Sequence, residues 1–362
     1  METKLKIRHF LRENLLAVLA FLSLVGINIL NQLGMGETNI YFWKNFIWNL
    51  LGLGLFLAIL FKFDYRRVSL ELLWLLYGGM LLLLIVLALF KKRWLIIGPL
   101  SFQPSEFLKV ILVYLLSLFV AKNMEPKLSV REALFLLIVI SLPVGFLLPV
   151  DLDYAGIIFL MFFMFLLFLG FPRRLFIGLA LLGIILSVIL LPLAWNKLKP
   201  HQKGRIYGYI DPEKYPKTWG YQINQSLIAI GSGGLLGQGL QKGWSTRLNY
   251  LPAKNTDLAF AVWAEAFGLI GSTLFLFIYG YLLYWGIEIS KKAKDLLGKF
   301  LSLGIVIVLL FQFLFNIGGA IGLLPMTSIP QPFLSYGGSI TISSYLMLSL
   351  LFNVAFRKDF FK

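Results

Sequence analysis

The chain has 362 residues, 59% hydrophobic and 14% charged, with 33 Lys and Arg against 17 Asp and Glu for a formal charge of +16. That balance excludes an ordinary soluble domain, and there is no stretch polar enough for a separate water-soluble one. Without cysteine, disulfides and thiolate metal sites are excluded too, and with only His9 and His201 any metal would be a hard ion held by oxygen ligands.

The N-terminus METKLKIRHFLREN is basic, like the start of a secretory signal, but the apolar run 15–30 lacks a small-x-small cleavage site. It is expected to be a retained first span, over 10–31. Further spans are expected at 45–61, 69–90, 105–121, 131–149, 155–171 and 174–195. After a long loop they resume at 257–289, 297–318 and 337–355. Each approaches the ~20 apolar residues that cross a bilayer core, and each is apolar nearly all round. The expected fold is therefore an all-α polytopic membrane protein of about ten transmembrane helices, one integral membrane domain over 1–362. No matching Gly/Pro breaks relate its halves, which counts against a secondary transporter.

Basic residues sort the loops. One side collects Lys4, Lys6, Arg8 and Arg12, then Lys62, Arg66 and Arg67, then Lys122, Lys127 and Arg131. Arg173, Arg174, Lys291, Lys292, Lys294, Lys299, Arg357, Lys358 and Lys362 continue it. The positive-inside rule makes that side cytoplasmic, with both termini inside. The outer side holds residues 91–107, the large loop of about 196–256 between spans 7 and 8, and residues 318–338. The large loop is unusually basic, with Lys197, Lys199, Lys203, Arg205, Lys214, Lys217, Lys242, Arg247 and Lys254 against Asp211 and Glu213. Such a field attracts anions at the outer surface, either lipid headgroups or a phosphate-bearing lipid substrate; part of the overall charge is topological, and nucleic acid is not the expected partner.

Acids are scarce, so their placement is informative. Glu106 opens the fourth span one turn from Lys109; Asp151 and Asp153 end the fifth; Asp257 and Glu265 begin the eighth, about two turns apart on roughly one face. Ionisable groups at such depth are functional candidates. Each also has a structural reading: an intrahelical ion pair for Glu106 and Lys109, a favourable helix-start charge for Asp257, helix ends for Asp151 and Asp153, and a satisfied interhelical contact for Glu265. The stretch IGSGGLLGQGLQKG, residues 230–243, lacks the spacing of a phosphate-binding loop. It is expected to be a closely packed re-entrant or interfacial segment, and no nucleotide is implied. LPMTSIPQPF, with Pro325, Pro330 and Pro332, cannot be continuous helix and is expected to line a protein-walled or wet cavity.

Four blocks in these outer segments carry a resemblance: RWLIIGPLSFQPSEFLK (93–109), GYQINQSLIAIGSGGLLGQG (220–239), NYLPAKNTDLAFAVWAE (249–265) and PMTSIPQPFLSYGGS (325–339). They resemble the SEDS family (shape, elongation, division and sporulation), and the AIGSGG wording is closer to its elongation members than to its division members. The resemblance implies a peptidoglycan glycosyltransferase that polymerises lipid II on the outer face of the cytoplasmic membrane, working with a class B penicillin-binding protein. It places the catalytic carboxylate at Asp257, with Glu106, Lys109, Asp151 and Glu265 in support. Candidates for touching substrate are Arg93, Gln103 and Ser105 on the first block and Gln222 and Gln225 on the second. Thr256, Ser335, Tyr336 and Arg205 of the basic loop complete the set. The chain departs from the family pattern at 149–154, where Pro-Val-Asp-Leu-Asp-Tyr replaces Gln-Pro-Asp-Leu-Gly-Thr, and at Asn255, Ala266 and Ser328.

Extending a β-1,4 glycan from an α-linked lipid pyrophosphate inverts the anomeric carbon. Asp257 is expected to act as base on the attacking hydroxyl, and basic residues, Lys109 and Arg205 first, to stabilise the departing pyrophosphate. A divalent cation, Mg or Mn, bridging pyrophosphate and carboxylate is compatible with the oxygen ligands available; the sequence does not assign its ligands. A lipid-linked saccharide flippase and a non-catalytic scaffold for a penicillin-binding protein are the alternatives. The first needs polar residues along a whole transbilayer path, which the apolar spans 155–171 and 174–195 do not supply.

Overall fold

A computed structural model describes residues 2–35, 39–98, 100–123, 128–197 and 200–358. In chain order these form α1 (Glu2–Gly34), α2 (Asn39–Lys62), α3 (Leu70–Leu89), β1 (Leu95–Ile97), β2 (Leu100–Phe102), α4 (Pro104–Asn123), α5 (Val130–Leu147), α6 (Leu152–Phe168) and α7 (Arg173–Lys197). The large loop contributes α8 (Pro200–Ile210), α9 (Tyr221–Ser232) and α10 (Trp244–Arg247), followed by α11 (Ala259–Lys292), α12 (Leu296–Ala320) and α13 (Gly338–Arg357). Each of the ten expected spans coincides largely with one helix. Among the described residues eight are long and apolar enough to cross a membrane, and α6 is a shorter apolar helix. Two features are not announced by the sequence: β1 and β2 pair antiparallel with Leu95 opposite Phe102, and the large loop carries the helices α8, α9 and α10.

Local rules set several helix starts. Ser129 and Glu132 form a capping box at α5, and Asp295 caps α12 by accepting the Gly298 N–H at 2.7 Å. Pro104 opens α4, where its missing N–H costs nothing. Helices α4 and α13 are the buried centre. Close approach there relies on small residues, as expected where lipid gives helices no reason to associate through apolar area alone. A Cβ on Gly52 of α2 would lie 2.3 Å from the Tyr345 ring, and one on Gly338 would lie 2.6 Å from the Trp48 ring.

At the end bearing both termini, Asn353 donates to the carbonyls of Ile59, Leu60 and Phe63, satisfying the last turn of α2. Lys358 and Glu13 pair at 3.3 Å, bringing the start and end of the bundle to one face. Burial alone would raise the Asp64 carboxyl, but hydrogen bonds from Arg66 and the charges of Arg357 and Arg66 hold it below its ordinary value. Its stabilising effect is thus present above the unfolded-state value and is lost as pH falls through the folded one.

Helix α11 is not continuous. Gly268 adopts φ 64°, ψ −160°, splitting off a short helix of 259–267. The groups freed by the break are claimed by the glycine-rich loop. Leu269 and Ile270 donate to the carbonyls of Gly234 and Leu235 at 2.8 and 3.1 Å, while Gln238 and Gly239 donate to Glu265 and Ala266, both at 2.9 Å. A Cβ on Gly237 would sit 2.2 Å from the Ala266 oxygen, so backbone can approach backbone only without side chains. The expected closely packed segment is therefore one that docks into a helix break, which is how such a break is tolerated at this depth.

Candidate active site

The half-helix of α11 begins just after Asp257, and the turn that carries Asp257 is clamped from two directions. Asn316 of α12 donates from Nδ2 to the Asp257 carbonyl at 3.1 Å and to the Ile329 carbonyl at 2.8 Å. Ser335 Oγ donates to the Thr256 carbonyl at 2.5 Å, and the Tyr336 N–H to the Asn255 carbonyl at 2.7 Å. From α1, Asn31 donates to the carbonyls of Ala259 and Leu334 at 3.1 and 3.2 Å, and Gln32 donates to Leu334 as well. The block 249–265 and the proline-rich block 325–339 are thereby one assembly. The prolines, which cannot donate, leave carbonyls that side-chain amides must meet. Asp257 itself is half-buried at its surface.

The same proline-rich segment reaches a second carboxylate. Asp151 is the N-cap of α6, accepting the Tyr154 N–H at Oδ1, and its Oδ2 accepts from Ser328 Oγ at 2.8 Å. Arg93 Nη1 lies 2.9 Å from that oxygen. A small cleft here is lined by Lys92, Arg93, Gln103, Ser105, Asp151 and Tyr154 against apolar residues of α3 and α5. Gln103 donates its N–H to Ser339 Oγ at 2.9 Å, tying the start of α4 to α13. Below the cleft, Glu106 and Lys109 pair at 2.8 Å with side chains 0% and 2% exposed. Tyr154 Oη donates to Glu106 Oε1 at 2.6 Å and Ser343 Oγ to Oε2 at 3.2 Å.

These positions redistribute the sequence candidates. Asp257, Thr256, Ser335 and Tyr336 come together, as do Arg93, Gln103, Ser105 and Asp151, with Glu106 and Lys109 beneath them. Lys109 is sealed by Glu106 and the Tyr154 ring, so in this conformation it shapes the site rather than facing the cleft. Glu265 does not share a face with Asp257, because Asp257 precedes the helix and helical spacing does not extend to it. Its carboxylate accepts from the Ser245 N–H at 2.7 Å, the Thr246 N–H at 3.0 Å and Thr246 Oγ1 at 2.5 Å, which is the satisfied structural contact. Gln222 is exposed and Gln225 half-buried on α9. Arg205 lies on α8, and its side chain is outside the described ones, as are residues Lys127, Lys199 and Lys362. Lys254 is buried and donates to Asn249 Oδ1 at 2.6 Å, whereas Lys214, Lys217, Lys242 and Arg247 are exposed on the large loop. Burial pushes the Tyr336 hydroxyl up, with Tyr41 adding to it, so it stays protonated at neutral pH.

Replacing Glu265 by Ala removes the acceptor of four hydrogen bonds, the fourth from Ser232 Oγ at 3.5 Å, in a buried site. A loss of about 2–4 kcal/mol is expected, read as a lower thermal midpoint of the detergent-solubilised chain; an unchanged midpoint would show that the loop does not depend on this anchor.

Asn31, Asn316, Ser328, Tyr154 and Ser343 were missed as site residues. The signal for the first two was available: uncharged amides inside otherwise apolar spans need partners. Ser328 and Tyr154 stood out only as departures from the family pattern.

The chain matches the cell cycle protein family of FtsW, RodA and SpoVE over residues 5–359. It is 38% identical over 266 residues to a probable peptidoglycan glycosyltransferase FtsW of Synechocystis, covering 73% of this chain and 65% of that protein. It is 36% identical over 254 residues to peptidoglycan glycosyltransferase MrdB of Escherichia coli K12, covering 69% of this chain and 67% of that one. Among solved structures it superposes with TM-score 0.77 and 26% identity on a chain of a peptidoglycan synthase complex that coordinates polymerization and crosslinking, covering 95% of this chain and 97% of that chain. A crystal structure of a Thermus thermophilus RodA variant gives TM-score 0.67 at 25% identity, covering 95% and 97%. With the family matched from end to end and the fold shared over nearly the whole chain, this protein belongs to the SEDS family of FtsW, RodA and SpoVE.

Proposed function

We propose that the chain is a peptidoglycan glycosyltransferase that polymerises lipid II on the outer face of the cytoplasmic membrane, with Asp257 as its base. The observation that carries the reading is the clamped turn. Asn316 of α12, Ser335 of the proline-rich block and Asn31 of α1 all donate to the backbone that carries a half-buried carboxylate residue. In the reaction the acceptor sugar's 4-hydroxyl oxygen attacks the donor's anomeric carbon as the bond to the pyrophosphate oxygen breaks. The hydroxyl proton passes to the Asp257 carboxylate, and the leaving pyrophosphate keeps the bonding electron pair, so the anomeric centre inverts. Exposed cations of the outer loop, with Arg93 at the cleft, offer the positive field that the leaving group needs.

The donor set does not make a cation cage: among the described residues no three Asp, Glu or His lie together. A Mg or Mn ion would therefore be carried largely by the oxygens of the pyrophosphate, with a carboxylate at the site completing its shell. Assignment to elongation rests on the AIGSGG wording and on the likeness to RodA. A class B penicillin-binding protein is the partner that reading brings, and the synthase complex among the structural relatives supports it.

The test is to reconstitute the full chain with such a partner in liposomes, supply lipid II, and follow both glycan product and transbilayer movement of the lipid. Glycan chains are expected. Lipid movement without product would favour the flippase, and neither, with partner binding intact, would favour a scaffold.

A further inference from the structure

We propose that Tyr154 is a positioning residue for this reaction, acting through Glu106; the inference rests on the glycosyltransferase reading above. Tyr154 is 1% exposed and touches both layers of the site. Its hydroxyl donates to Glu106 Oε1 at 2.6 Å, its N–H donates to Asp151 Oδ1 at 3.3 Å, and Lys109 Nζ lies 5.7 Å from the centre of its ring. One residue therefore joins the buried ion pair to the carboxylate that holds Arg93 and Ser328 at the cleft.

The hydroxyl is not needed to fill space, since a phenylalanine ring would do that. Its work is on the carboxylate. Glu106 is sealed from water, and a buried carboxylate takes its orientation from its donors. Oε2 has Lys109 and Ser343, whereas Oε1 has no other donor among the described residues. Removing the phenol leaves Oε1 bare, and the carboxylate gains by turning toward Lys109 and Ser343. Glu106 lies in the first turn of α4, directly after Gln103 and Ser105 of the cleft, so a shift there reaches the substrate-facing surface. Misplacement on this scale lowers rate more than binding.

The experiment uses the full chain in liposomes with lipid II, as wild type, Tyr154→Phe, Glu106→Gln and the double variant. Tyr154→Phe is expected to lower kcat on the order of tenfold while KM for lipid II changes less than about twofold. The four thermal midpoints form a double-mutant cycle that needs no activity. In it the effect of Tyr154→Phe should shrink once Glu106 is Gln, because a neutral amide oxygen accepts a weaker hydrogen bond than a carboxylate does. Equal kcat in wild type and Tyr154→Phe overturns the inference, as does a midpoint loss of the same size in both backgrounds. A wild type that makes no product overturns the glycosyltransferase reading and this inference with it, whereas an active wild type matched by its variant overturns the inference alone.

Discussion

Asp257→Asn is expected to lower glycan polymerisation by about 10²–10⁴-fold while leaving the chain folded and partner-bound, because general-base catalysis contributes on that order. The asparagine is nearly isosteric, and the hydrogen bond from Asn316 that holds this turn goes to the backbone carbonyl of residue 257. The clamp from Asn316, Ser335 and Tyr336 therefore survives the substitution. Initial rates of glycan formation from lipid II, with thermal midpoints and partner co-purification alongside, separate the chemistry from the fold. A variant within threefold of wild type would remove Asp257 as the base and direct attention to Asp151, the other carboxylate that the proline-rich segment touches.

The second large effect is on stability. Lys109→Met leaves the Glu106 carboxylate 0% exposed and without its counter-ion, and orphaning one member of a buried pair costs about 3–5 kcal/mol. The thermal midpoint should drop sharply, and expression with it. Adding Glu106→Gln should recover most of that loss, because a neutral pair of similar volume no longer buries an uncompensated charge. Tyr154 and Ser343 donate to different carboxylate oxygens, so one of them can still donate to the glutamine carbonyl and the other can accept from its amide. If Lys109→Met is as stable as wild type, the pair does not shape the site, and the ammonium is free for another role. If the double variant is no better than the single one, the loss lies in packing of the lysine stem.

How much of the site could be read from the sequence differs residue by residue. The apolar helices, and the placement of the four motif blocks at and between their ends, follow from apolar length and from where charge and proline interrupt it. Glu106 and Lys109 were legible as a pair because three positions on a helix put side chains on one face. Asp257 and Glu265 looked equally regular, yet that inference failed, since the helix does not begin until Ala259 and breaks again at Gly268. Periodicity assumes a continuous helix, and nothing in the spacing of residues 257–268 announces the interruption. The glycines at 233–239 hinted at close backbone packing without naming the partner backbone.

By itself the sequence determined what is local: an all-helical membrane chain, its loops and their charge, the scarcity of acids, and the motif wording that marks the family. The physical reason is that bilayer thickness, helix period and the cost of buried charge act along the chain, within a few turns of each residue. Only the tertiary structure decided which of these segments meet. Asn31 binds carbonyls 228 and 303 residues away, and Ser328 reaches Asp151 across 177. Such contacts obey no spacing rule. They are selected because every carbonyl left free by proline or by a broken helix must find a donor in a place without water, and the donor is whichever side chain the bundle brings near.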